Sequence, residues 1–296
     1  MRKILSILLL SALFVCCAVG LSACGMIPAP KEPTPDEYFE FTLLENDTYE
    51  IAAKDKTNMT EEVILPSTYN GKAVTSIGYR AFHHCDCITN ITMPNSITSI
   101  SDQAFTWCSS LTSVTIPDSV TSIGNEAFLN CSYLSEIKIP DSVKTIGYAA
   151  FEGCSSLDET TIPDSVTSIG ERAFCWCSGL TDVIIGNGVA SIGDDAFSNC
   201  SSLNEIIIST NVKDIGNGVF KNCSGLTTIY FKGTSDDWNK ISIGEYNNNE
   251  LFNATRYYYS EGYPTEFAEN TYWHYVDGEP TVWQKSVENE YTPWIL

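Results

Sequence analysis

Seven phenylalanines recur at a constant interval of 23 residues, at Phe82, Phe105, Phe128, Phe151, Phe174, Phe197 and Phe220. A cysteine stands three places after each, from Cys85 through Cys108, Cys131, Cys154, Cys177 and Cys200 to Cys223. A single-core globule has no use for such a rhythm. A fixed period of roughly 20–50 residues marks stacked supersecondary units that bury their apolar sides against one another. The chain is therefore read as a solenoid, and solenoids present long surfaces more readily than enclosed pockets.

One unit, residues 111–131, shows the local logic. Val114 and Ile116 are two apart and point to one side of a strand, while Ser113 and Thr115 point to the other. Pro117 ends the strand because it brings no N–H to a ladder. Residues 120–123 read as a second short extended piece, which Gly124 breaks. Residues 125–130 read as one helical turn, with Glu126 early in it, where the helix dipole favours a negative charge. The first unit departs from the pattern. It carries five more residues between Pro66 and Gly78 than lie between Pro117 and Gly124. The addition contains Asn70-Gly71, a tight-turn signal, so residues 65–74 are expected to form a hairpin over the first sheet edge. The inward position held by Val114, Ile137, Val183 and Ile206 is Thr160 in the fourth unit, and a buried hydroxyl there predicts local loosening or an ordered water.

The segment IPDSVTSIG followed by AFxxCSxL resembles the BspA-type (Treponema-type) leucine-rich repeat of bacterial surface proteins, over about residues 63–231. The resemblance implies an α/β solenoid, a leucine-rich-repeat array of seven 23-residue repeats with short parallel strands and single helical turns, capped at both ends. It also implies a secreted or cell-surface binding protein, in the manner of an adhesin or matrix-protein binder. Periodicity alone implies only the solenoid.

Outside the array the organisation is mixed. Arg2 and Lys3 precede an apolar run to about Leu21, an export signal over 1–23. Leu21-Ser22-Ala23-Cys24 looks like a bacterial lipobox, which implies cleavage before Cys24 and lipidation of its sulfur. A spanning helix is the alternative, but the run is barely long enough and the small residues favour cleavage. Residues 24–37 form a Pro-rich tether, and 38–65 contain a β-hairpin cap turning at Asn46-Asp47. The solenoid proper is placed at 66–231. Residues 232–296 hold fourteen aromatic residues without the period, and are read as a cap that buries the last apolar layer. An N-capped turn is expected at Ser235, a strand at 255–260 and a hairpin at 272–283 turning at Asp277-Gly278.

Charge limits the partners. Losing Arg2 and Lys3 with the leader takes the formal charge from −21 to −23, which excludes nucleic acid and anionic lipid surfaces. By register, the outward strand positions on the concave face form two rows. One contains Glu136, Glu159, Asp182 and Glu205; the other contains Ile184, Ile207 and Tyr230, with Lys138 upstream. Carboxylates one strand apart, about 5 Å, repel by ~0.8 kcal/mol even in water, and folding does not require that cost. Acid beside exposed apolar surface suggests a basic, partly apolar protein partner. The alternatives are freely varying solvated positions, a glycan bound by the C-terminal aromatics, or a spacer without a specific ligand.

Nine cysteines follow Cys24: the seven of the ladder plus Cys87 and Cys175. Parallel ladder neighbours suit neither disulfide torsions nor tetrahedral zinc, so they are read as small buried apolar side chains, with Cys87 and Cys175 as exposed extras. Nine thiols in an exported chain point to reducing surroundings. The histidines His83 and His84 read as surface filler. No nucleophile–His–acid set, phosphate loop or HExxH is visible, so no catalytic residue, cofactor or metal is assigned.

Overall fold

A computed structural model describes residues 31–262, 264 and 272–283. The export signal, Cys24 and the first half of the tether lie outside the described residues, as do Tyr263, Phe267, Tyr291 and Trp294.

Each 23-residue unit gives one strand to each of two parallel stacks. The first runs from Lys72–Ile77 through two-residue strands such as Ser99–Ile100, Ser122–Ile123 and Ser168–Ile169 to Ser242–Ile243, with isoleucine aligned on isoleucine throughout. The second stack holds Glu62–Ile64, Asn90–Thr92, Ser113–Thr115 and Glu136–Ile137, then Glu159–Ile162, Asp182–Ile185, Glu205–Ile208, Thr228–Phe231 and Thr255–Tyr259. Val114 and Ile116 are buried while Ser113 and Thr115 are exposed, as the alternation requires. The fold is thus a leucine-rich-repeat array.

The third side of each unit corrects the expected helical turn. Residues 125–130 form linked tight turns with two left-handed residues, Glu126 (φ 55°) and Asn130 (φ 58°). The same pair of positions is left-handed in every ladder unit, for example Arg80 and His84, and Asp195 and Asn199. A helix would spend its N–H groups within the chain. Here the N–H groups of Gln103, Phe105 and Trp107 donate instead to the carbonyls of Asn125, Ala127 and Leu129 in the next unit, at 2.7–2.8 Å. The turn side is therefore a third inter-unit ladder.

Between the three sides the core repeats without a gap. The seven phenylalanines are fully buried and stack with centroids 5.1–5.7 Å apart and ring planes within 15°. Each burial stabilises by about 1.5–3 kcal/mol. The ladder cysteines explain themselves by hydrogen bonding as well as size. Cys108, Cys131, Cys154, Cys177, Cys200 and Cys223 each donate Sγ–H to the carbonyl of the phenylalanine of the preceding unit, at 3.0–3.2 Å. Burial pushes the thiols of Cys108, Cys131, Cys154, Cys177 and Cys200 up, Cys154 to about 12, and no described cysteine is in a disulfide. Cys175, expected at the surface, is buried, with Asn199 of the next unit beside its thiol; Cys87 is half-buried. The units approach too closely for side chains at the turn glycine. A Cβ on Gly147 would fall 2.6 Å from the carbonyl carbon of Gly124.

At the N-terminal end the hairpin Phe39–Leu43 and Tyr49–Ala53 pairs with Lys72–Ile77. This hairpin occupies the edge of the first stack, which the 65–74 hairpin had been expected to cover. The 65–74 turn does form, at Asn70 and Gly71 (φ 48° and 78°), and Tyr69 supports the edge by stacking on Phe41 at 3.8 Å. Thr34 exchanges hydrogen bonds with Ile64, so the chain is already docked four residues before the expected start of the cap. At the other end the helical turn Ser235–Trp238 is capped by Thr234, rather than Ser235, in a reciprocal pair with Asp237. Thr234 reaches the N3 amide; Ser235 is already inside the turn.

The second stack divides once. No ladder joins Glu136–Ile137 to Glu159–Ile162, and the interruption falls beside Thr160, whose buried Oγ1 has no hydrogen-bond partner.

Candidate functional site

The outward face of the second stack is where the charge and the register meet. Glu159 aligns with Asp182, Asp182 with Glu205, and Glu205 with Thr228. Glu136 aligns with Ser113 and stands on the far side of the division, so the acidic row is one residue plus three. Glu136, Glu159 and Asp182 are exposed, and none of them forms an ion pair among the described residues. Lys138 is exposed nearby and is not bonded to them either. At the division the surface forms a shallow depression lined by Ser113, Ser135, Glu136, Lys138, Asp158 and Glu159. Asp158 is a member the sequence reading missed; its signal is the Asp158-Glu159 tandem, one residue ahead of the outward row.

The apolar row has a different fate from the one expected. Ile184 is open at 39% exposure, but Ile207 and Tyr230 are each only 6% exposed. The reason lies beyond the last repeat. Thr255–Tyr259 continues the stack parallel to Thr228–Phe231, Tyr272–Val276 comes next, parallel to it, and Glu279–Val282 turns back antiparallel through Asp277 and Gly278. This register sets Tyr257 beside Tyr230 and Trp273 beside Tyr259, all on the outward side. Trp273 then leans back over the face. Its ring lies 5.2 Å from that of Tyr230, it is fully buried, and its Nε1–H donates to the Phe231 carbonyl at 2.9 Å. Ile207 and Tyr230 therefore belong to a small secondary core with Trp273, Tyr257, Tyr259 and Val282, not to an open strip.

The cover changes the electrostatics at its margin. Glu205 is half-buried, and its carboxyl is raised above the usual range, first by desolvation and then by the like charge of Asp182. Tyr230 is pushed up to about 12 by burial, then by Glu205 and Tyr257. The open part of the site is thus the stretch from Glu136 to Asp182, with Ile184 at its border. Cys24 lies outside the described residues. His84 is exposed and His83 half-buried on the turn side, away from this face. Among the described residues no group of three or more His, Cys, Asp or Glu side chains is arranged to hold a metal, and no helix is long and apolar enough to cross a membrane.

A solenoid with a parallel sheet face left open from Glu136 to Asp182 has the form of a repeat-type binding scaffold. Residues 55–177 and 145–255 match the family model of the BspA type leucine rich repeat region, in 6 copies, and the chain belongs to that family. Among crystal structures it is similar to the leucine rich repeat protein of T. pallidum, with 31% identity and a TM-score of 0.62, over 66% of this chain and 91% of that one. It also shares its fold with a leucine rich cell surface protein from Faecalibacterium prausnitzii, at 24% identity and a TM-score of 0.53, over 73% of each chain. No curated protein matches it.

Proposed function

We propose that this chain is an exported, lipid-anchored surface protein, held through Cys24, whose acidic sheet face binds a basic, partly apolar protein, in the manner of an adhesin or matrix-protein binder. The observation that carries the reading is the row Glu136, Glu159 and Asp182, exposed without ion pairs beside Ile184. Like charges kept in register on neighbouring strands lower the stability of the free array, and a cationic partner removes that repulsion. Export fits the residue pattern before Cys24, and two or more acyl chains at ~0.8 kcal/mol per buried CH₂ would hold such a protein stably. The open sheet is smaller than the roughly 800 Å² per partner of a standard interface, so the depression at Asp158 and the flanking loops join the contact.

At the C-terminal end Trp238 and Trp273 are buried and serve the cap, which leaves Tyr246, Phe252 and Tyr275 as the exposed aromatics a glycan would have to meet there. The test is surface-plasmon binding of the full chain to a panel of extracellular-matrix proteins across a salt titration. Combined Glu136→Lys, Glu159→Lys and Asp182→Lys should weaken the bound partner by at least about tenfold and flatten the salt dependence. Unchanged affinity in the triple variant would end this reading.

A further inference from the structure

The turn side carries a feature that neither the fold nor the sheet face uses. The position two residues after each ladder phenylalanine is left-handed. Asparagine holds it in three units (Asn130, Asn199, Asn222), glycine in one (Gly153) and histidine in one (His84). Those residue types tolerate a positive φ; bulky aromatics do not. Yet the remaining two units carry Trp107 (φ 61°) and Trp176 (φ 63°). The two indoles are 45% and 55% exposed, so burial does not compensate the backbone strain; Trp107 stacks on His84 at 5.8 Å, and Trp176 has no ring partner among the described residues. Residues that break a local rule for so little gain in the fold are a functional signal.

The arrangement occurs twice. Tyr79 and Tyr148 are also exposed, each directly after the turn glycine of its unit, and each precedes one tryptophan by the same 28 residues. Each tryptophan shares its turn with a polar side chain fixed in place. Gln103 is held between Arg80 and Glu126, and Arg172 is held on Glu152. Three inter-unit steps, of 5.1, 5.3 and 5.1 Å along the phenylalanine stack, separate the two units. The intervening ground is low: only Asn130 and Gly153 occupy it, and the Asn130 amide oxygen lies where a Gly153 side chain would be.

We propose that Trp107 and Trp176 form a two-point site for a neutral, linear β-linked glycan laid along the turn side. Separated rings with fixed hydrogen-bonding groups beside them match a sugar ring, which has an apolar C–H face and a rim of hydroxyls. They lack the contiguous apolar centre that a protein interface requires. The formal charge of −21 disfavours nucleic acids and acidic polysaccharides. A fixed separation of three unit steps on a rigid array suits an extended polymer, and a β-linked ribbon can reach both rings where a coiled chain cannot. This site is on a different side from the acidic sheet face, so the two readings stand or fall separately.

The experiment uses the full chain with Trp107→Asn, Trp176→Asn and the double variant, since asparagine is what three other units carry there. The probes are cellulose, chitin and xylan as polymers, with their disaccharides, too short to bridge the two rings, in solution. Wild type should bind at least one polymer. Either single variant should lose about 100-fold in apparent affinity for that polymer by loss of avidity, while the disaccharide keeps its dissociation constant and its stoichiometry halves. The double variant should lose both, with a melting temperature at or above wild type. Wild type binding none of the three polymers, or a double variant that binds like wild type or melts below it, would overturn the proposal. Loss of a protein partner instead would assign the rings to protein recognition and overturn it equally.

Discussion

The two halves of the second stack start from the same repeat and end as different surfaces. In the half from Glu136 to Asp182 the outward positions stay open, charged and unpaired. In the half from Glu205 onward the equivalent positions lie under Trp273 and its hairpin. Register alone makes the halves equivalent; the aromatic hairpin beyond the last repeat makes them differ. A solenoid's usable surface is set as much by its caps as by its units. Trp273 is the residue on which the difference turns. Trp273→Ala should cost about 3–5 kcal/mol, as removal of a fully buried large aromatic does. It should also expose Ile207 and Tyr230, making the covered half resemble the open one. Calorimetry together with hydrogen exchange at residues 205–208 and 228–231 measures both effects. A loss below about 1 kcal/mol would mean that the hairpin is not what closes this half.

Most of the array was legible in the sequence because its determinants are local and periodic. Val114 and Ile116 alternate within one strand, and the Phe and Cys ladders need only a neighbour 23 residues away. The turn side was misread because tight turns and a helical turn share the same apolar spacing over six residues. What distinguishes them, the asparagines, glycine and histidine at the left-handed positions, is visible only once the units are aligned. The covered strip was out of reach for another reason. Ile207 and Tyr230 face outward by register, as expected. Their burial depends on a tryptophan that donates to a carbonyl 42 residues away, across a break in the period. Non-local closure leaves no pattern in a repeat.

The open half has its own irregularity, at the fourth unit. Thr160 occupies an inward position that is aliphatic in the units on either side, and its hydroxyl is buried without a partner where the ladder divides. Thr160→Val removes an orphaned hydroxyl and keeps the side-chain shape. It should stabilise the array by about 1–2 kcal/mol, the desolvation cost of such a group. The amides of Glu159–Ile162 should exchange more slowly in the variant, making the open half as continuous as the rest of the stack. Should Thr160→Val lower the melting temperature, the hydroxyl has a role and the division is built in.

The smallest effect lies at the boundary between the halves, where Glu205 is caught under the edge of the cover. Burial, then Asp182, raises its carboxyl above the unfolded value, so the folded chain holds that proton more tightly than the unfolded one. Its stabilising contribution is therefore complete below the ordinary glutamate range, about pH 4.3, and is lost as pH rises through the higher folded-state value. Glu205→Gln removes this pH dependence. The variant should melt above wild type at pH 7, and the gap should close as pH falls towards 4. Melting curves between pH 3.5 and 7.5 for both proteins decide it. A gap of constant size across that range would show that Glu205 feels neither the cover nor the acidic row, and that the charge on the open half stops at Asp182.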